Sequence, residues 1–309
     1  MVRRKRLLDR LDDLASRLEP VLELTEARLR QQLGLGVGAR EFQQTTAFRW
    51  DADSGPGRLV PIETPADFDL DDLVGVERPL ARLLCNTEQF LGGHPSNHVL
   101  LYGERGTGKS SAVRGLLTRY ASRGLRLVDV QKADLIHLPR ILGALRKAPA
   151  ELGFLLFCDD LSFAAGEPGL RELKAALEGN VDALPESVRI IATSNRRHLV
   201  PQTMDENRAA WVDEQNELHH GEALEEKLAL SDRFGLMLGF YGFDQSTYLE
   251  IVERYVKKAG LEVEFQEVRA DALRWALARS NRSGRSARQF VDDLAGRLAL
   301  AASGERLTE

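Results

Sequence analysis

Five short apolar runs mark out the middle of the chain: Val99 to Tyr102, Leu125 to Val130, Phe154 to Cys158, Val188 to Thr193 and Leu236 to Tyr241. Each is a few residues long and bounded by polar or glycine-rich sequence, which predicts strands. Between them the apolar spacing turns helical, predicting helices at about 79–91, 111–120, 135–147 and 170–178. After the last run, three more helices are predicted at 245–260, 268–280 and 284–301.

The ends of the chain follow other patterns. Leu7, Leu11, Leu14, Leu18 and Val21 recur at alternating steps of four and three, which predicts a helix over residues 3 to 34. Two uses stay open for it: docking to a partner as a coiled coil, or packing on its own domain. Gly34 to Gly38 ends it. Phe42 to Trp50 carries strand-type residues, Asp51 to Gly57 is a turn cluster, and Arg58-Leu-Val-Pro-Ile62 follows. Together they predict a hairpin whose second strand, holding Pro61, lies at a sheet edge. Residues 199–230 are polar and acidic, a length that suggests an insert or lid. Its His219-His220 pair reads as solvated, and His94 and His98 as flanking a surface turn. The organisation expected is an N-terminal extension at 1–65, an α/β domain at 66–243 and a helical domain at 244–309.

Composition narrows the classes. With 309 residues and a formal net charge of −5, the chain is long enough for a sizeable core and is not an electrostatic nucleic-acid binder as a whole. A local basic patch remains open: Arg279, Arg282, Arg285 and Arg288 fall every third residue. A helix turns about 100° per residue, so at most one or two of them can face a single phosphate. No apolar run approaches the roughly 20 residues of a membrane span. Asp9 and Arg10 break the apolar start at Leu7-Leu8, so no signal peptide is read. Cys85 and Cys158 have no metal-ligand spacing, and Cys158, inside an apolar run, reads as a buried free thiol. These features place the expectation in the cytoplasm.

The candidate chemistry begins directly after the first apolar run. Gly103, Gly108, Lys109 and Ser110 fit G-x-x-x-x-G-K-[ST], between a predicted strand and a predicted helix. Glycines let backbone N–H groups turn inward around phosphate oxygens, and the following helix points its positive end at the same anion. The loop residues Glu104, Arg105, Gly106, Thr107 and Ser111 complete the candidate nucleotide cradle. Lys109 would reach the terminal phosphates and the Ser110 hydroxyl would ligate Mg²⁺. Asp159 and Asp160 end a buried strand, a place from which carboxylates hold Mg²⁺ and orient a water. Asn195 ends the next strand, where an amide can hydrogen-bond that water.

These blocks, in this order, resemble the AAA+ ATPases. Leu-Leu-Tyr-Gly-Glu-Arg-Gly-Thr-Gly-Lys-Ser-Ser, Phe-Cys-Asp-Asp-Leu-Ser-Phe, Ala-Thr-Ser-Asn-Arg-Arg-His-Leu, Leu-Ser-Asp-Arg-Phe-Gly-Leu and Ser-Gly-Arg-Ser-Ala-Arg-Gln-Phe are more closely similar to a bacterial family catalogued as domain of unknown function 815. The resemblance covers about residues 40 to 300. It implies a P-loop NTPase of AAA+ type: a doubly wound parallel α/β sheet with a small C-terminal helical lid, here with an N-terminal helical and hairpin extension. It implies ATP and Mg²⁺ as ligands, with Lys109 and Ser110 as the Walker A pair and Asp159 as the metal-side Walker B carboxylate. Asp160 stands where most such proteins have a glutamate that activates water, one methylene shorter. Asn195 matches sensor 1. Arg233 resembles the arginine finger that serves a neighbouring subunit, which implies a homo-oligomer, ring or dimer. Arg285, or else Arg288, matches sensor 2. Three functions follow as alternatives: an ATPase that remodels or loads a protein partner, a nucleotide-gated switch with little hydrolysis, or a DNA-associated ATPase of initiator or helicase-loader type.

Overall fold

The computed structural model describes residues 36–53, 57–163, 168–178, 184–195 and 231–303, with Thr25 and the short pieces 211–212 and 218–219. The helix expected over 3–34 therefore lies outside the described residues except at Thr25, as do most of the insert and Arg196-Arg197.

The chain opens with helix α1 (Ala39–Gln44) and strands β1 (Ala47–Asp51) and β2 (Arg58–Pro61). Helix α2 (Glu77–Leu91), β3 (Val99–Gly103), α3 (Lys109–Tyr120) and β4 (Leu125–Asp129) follow. Then come α4 (Leu138–Leu145), β5 (Gly153–Cys158), α5 (Pro168–Glu178) and β6 (Val188–Ser194). Within the insert, β7 (Trp211–Val212) and β8 (Leu218–His219) form an antiparallel pair with Trp211 opposite His219. Strand β9 (Leu236–Phe240) leads to α6 (Gln245–Lys258), α7 (Phe265–Ala278) and α8 (Gly284–Ser303).

Seven strands make one sheet in the order β2-β1-β4-β5-β6-β3-β9, parallel except for the β1–β2 pair. The central strands are mostly apolar because both faces are covered. Alternate residues divide cleanly. Leu100, Val128, Leu156 and Ile190 join the core beneath α4 and α5, whereas Leu101, Leu127, Leu155 and Ile191 join the core beneath α2 and α3. This is the doubly wound α/β arrangement expected. Chain order reverses at β3: the next strand in sequence, β4, lies three places away, past β6 and β5. Such a reversal opens a crevice at the carboxyl ends of the strands.

The first elements differ from the sequence reading in two ways. Phe42 to Gln44 are helical, and strand begins only at Ala47. The cause is local: the Glu41 carboxylate accepts from the Gly38 N–H (2.9 Å) and so caps the short helix. Phe42 then packs against Phe48 and Phe154, with ring centroids 5.2 and 5.4 Å away. The hairpin does form, with Pro61 on the edge strand, but it is not set apart as an extension. Strand β1 pairs parallel to β4 and so lengthens the main sheet. Buried Arg126 on β4 ties it there, donating to the carbonyls of Phe42 (2.8 Å) and Gln43 (2.7 Å) that close α1. His98 also departs from a surface-turn reading. Its Nδ1 accepts from the Ile190 N–H (3.1 Å) between β3 and β6.

Helices α6 to α8 share a separate core built on Tyr248, Ile251, Val252, Phe290 and Val291. The segment before α2 fastens it to the sheet. Leu70 packs in the core beside α3, and Val74 packs in the helical core. Between them the Asp72 carboxylate pairs with Lys258 of α6. The Asp67 carboxylate accepts from Thr118 of α3 (2.8 Å). Helix α3 and the C-terminal helices are thus strapped to one stretch, Asp67 to Val74.

Candidate active site

Strands β3, β6 and β5 lie side by side, so the residues following their carboxyl ends meet. After β3 the loop turns tightly, with positive φ at Gly103, Gly106 and Gly108. Gly103 has φ +129°, and a Cβ there would lie 1.9 Å from the Phe240 carbonyl oxygen. Gly106 has φ +77°, and a Cβ there would press on Ser283, 2.7 Å from its Oγ. Side chains are excluded at both places, by backbone conformation and by the close approach of β9 and of the lid. The Gly284 N–H at the start of α8 donates to the Gly106 carbonyl (2.9 Å), so the lid touches the loop directly.

Lys109 opens α3 and is almost fully buried. Its Nζ donates to the carbonyls of Gly103 (2.7 Å) and Glu104 (2.6 Å) and lies 3.4 Å from Asn195 Oδ1. Burial lowers its pKa, and the nearby Asp160 and Asp159 carboxylates oppose that shift. Ser110 Oγ donates to Asp159 Oδ1 at 2.7 Å. A hydroxyl and a carboxylate converging in this way are hard oxygen donors, and they fit a Mg²⁺ ion shared with phosphates.

Thr193 organises the acidic pair, a residue the sequence reading passed over. It is buried, its Oγ1 donates to Asp159 Oδ1, and it accepts the Asp160 N–H (2.8 Å). Asp160 sits at φ +51°, in the left-handed region that few residues other than glycine adopt and that aspartate tolerates better than most. The Asn195 amide donates to Asp160 Oδ1, and the Arg105 guanidinium lies 3.9 Å from Asp160 Oδ2.

These groups line one cavity of about 1130 Å³ between sheet and lid. Its wall includes Arg105 through Ser111, Asp159, Asp160, Asn195, Arg285 and Arg288, all of them singled out in the sequence. Gly103 and Glu104 shape the loop behind the wall, and Glu104 accepts the Thr107 hydroxyl (2.8 Å). Both candidate lid arginines are present; Arg288 also donates to Asp292 (3.0 Å). Thr193, Arg114, Tyr255 and Lys258 join the wall without having been anticipated. Arg233 is not part of it. It precedes β9 and pairs with Glu178 at the end of α5, leaving its Nη1 buried without a hydrogen bond. Among the described residues no group of three or more His, Cys, Asp or Glu is placed to hold a metal, and no helix is long and apolar enough to cross a membrane.

Comparison with known proteins agrees with this fold. A family described as "Protein of unknown function (DUF815)" matches residues 43–298. No curated protein sequence matches the chain. Among solved structures, the fold is similar to the RuvB Holliday junction branch migration motor of Thermotoga maritima. That match has a TM-score of 0.51 at 18% identity, covering 76% of this chain and 66% of that one. It is also similar to the ORC1 protein of Aeropyrum pernix in complex with DNA, with TM-score 0.52 and 19% identity over 77% of this chain and 63% of that one. The chain spans just under two thirds of the length of these structures.

Proposed function

Because the chain belongs to the DUF815 family and has the fold of AAA+ ATPases, we propose that it is a magnesium-dependent ATPase that completes its sites between subunits and uses turnover to remodel or load a partner. The observation that carries this reading is the convergence of Lys109, Ser110, Asp159, Asp160 and Asn195 on one cavity under the lid arginines. ATP would lie along the loop, with Lys109 exchanging its two carbonyl partners for terminal phosphate oxygens. Ser110 and Asp159 would hold Mg²⁺, which neutralises phosphate charge when bound. Asp160 would accept the proton of the attacking water while Asn195 holds both in place. Arg285 or Arg288 would report the phosphate to the lid, whose backbone already contacts Gly106.

Arg233 lies outside the cavity of its own chain. That placement supports a role at the site of a second copy, where an arginine stabilises charge on the transferring phosphoryl group. Its pairing with Glu178 means that assembly would have to exchange one anion for another.

Two further readings have their own support. The short Asp160, with one oxygen taken by Asn195 and the other beside Arg105, supports a nucleotide-gated switch that turns over slowly. A DNA-associated ATPase is supported by Arg274, Arg279, Arg282, Arg285 and Arg288, with no acidic residue between 272 and 291. Retention on DNA that falls steeply with salt would select it, and no retention at low salt would remove it. The test of the nucleotide site is Lys109→Ala. Nucleotide binding or turnover should be lost, and unchanged binding and turnover would contradict the reading.

A further inference from the structure

A run of contacts leads from the P-loop lysine to an arginine that the P-loop chemistry does not require. Lys109 Nζ approaches Asn195 Oδ1, and Asn195 donates to Asp160 Oδ1. The other oxygen of that carboxylate, Oδ2, faces Arg105 at 3.9 Å. Arg105 stands at the apex of the glycine loop, with its side chain 72% exposed. The four side chains therefore ring one point of the cavity, approaching it from the loop apex, the tips of β5 and β6, and the start of α3.

We propose that Arg105 is a ligand of the terminal phosphate of ATP, and that its transfer from Asp160 to that phosphate frees Asp160 to accept a water. The inference rests on the ATPase reading above.

The electrostatics favour the exchange. An exposed guanidinium–carboxylate pair at this separation is weak and easily re-formed elsewhere. A phosphate offers two or three oxygens that match the guanidinium fork, and it carries more charge than a carboxylate. The exposed Arg105 is the partner free to move. The Asp160 backbone is held by Thr193 and its Oδ1 by Asn195. Before the exchange Oδ1 is held by Asn195 and Oδ2 faces Arg105, so neither oxygen is open to a water. After it, Oδ2 is open to solvent. On this assignment the ringed point takes the third phosphate, so Asp160 would become available with ATP and stay paired with ADP.

The test uses the full chain with Mg²⁺, measuring the affinities of ADP and of a non-hydrolysable β,γ-imido analogue of ATP. Arg105→Ala should weaken the analogue about tenfold while ADP affinity changes by less than about twofold, the size expected when one charge-assisted contact is lost. Retained ADP affinity serves as the check on folding. Turnover of ATP should fall in the same variant, and Arg105→Lys should recover part of the analogue affinity. Equal effects on the two nucleotides, or none, would overturn the proposal while leaving the ATPase reading intact. Faster turnover with unchanged analogue affinity would make Arg105 a brake on Asp160 and would likewise overturn it. A wild-type chain that binds neither nucleotide would overturn both.

Discussion

Thr193→Val removes one hydroxyl and nothing else of consequence. The shapes are nearly equal, so no sizeable cavity opens. Two hydrogen bonds disappear: the one given to the Asp159 carboxylate and the one accepted from the Asp160 N–H at 2.8 Å. A bond to a charged group contributes about 1.5–3 kcal/mol and a neutral one about 1 kcal/mol. Asp159 is exposed, so water replaces much of the first, and a net loss of about 2 kcal/mol is expected. In urea this appears as a lower midpoint with an unchanged slope. The functional effect is separate from the loss of stability. Freed from Thr193, Asp159 keeps the Ser110 hydroxyl as its oriented partner among the described residues. Removing such an outer contact commonly weakens metal binding by about tenfold to a hundredfold. The Mg²⁺ concentration for half-maximal nucleotide binding should rise accordingly, and Thr193→Ser should restore it. A valine variant with wild-type urea midpoint and wild-type Mg²⁺ dependence would refute the bridging role.

Two predictions concern the scaffold. Burial, with the Arg189 charge beside it, holds the His98 pKa at about 4 against 6.5 in the unfolded chain. Between those values the unfolded chain binds the extra proton, so this group's stabilisation is whole above pH 6.5 and lost as pH falls through about 4. The full loss is about 3 kcal/mol, and His98→Gln should flatten that part of a stability–pH curve measured by urea unfolding. Arg126→Met should cost about 3 kcal/mol, since the buried Phe42 carbonyl and the half-buried Gln43 carbonyl lose their donors, and the loss should appear in thermal or urea unfolding.

What the sequence made legible is what local chemistry decides. The loop from Gly103 to Ser110 is bounded by a buried strand and a helix, and each residue type has a reason to be there. The central strands were readable because a sheet covered on both faces needs unbroken apolar runs, such as Phe154 to Cys158. That Asp159, Asp160 and Asn195 line one cavity followed from their positions at strand ends. Thr193 was not legible, because its part depends on register. Cys158 pairs with Ala192, so the next residues along, Asp159 and Thr193, come opposite each other. A hydroxyl one place past the last apolar residue of a neighbouring strand is the signal that would have found it. The hairpin's attachment depended on a contact far along the chain, between Arg126 and the carbonyls closing α1. Helix formation at Phe42 to Gln44 turned on the single capping contact of Glu41, which outweighed the strand-forming residues that follow. The strap from Asp67 to Val76 has little periodicity of its own, because its residues face two different cores.

The most direct measurement is ATP turnover per subunit against protein concentration, from well below to well above micromolar. If subunits complete one another's sites, turnover per subunit rises and saturates. Arg233→Ala then removes the rise and leaves ATP binding in place. A rate near zero at every concentration, with ATP bound, would contradict the proposed ATPase and leave a switch. A rise that survives in Arg233→Ala would contradict the part assigned to that arginine.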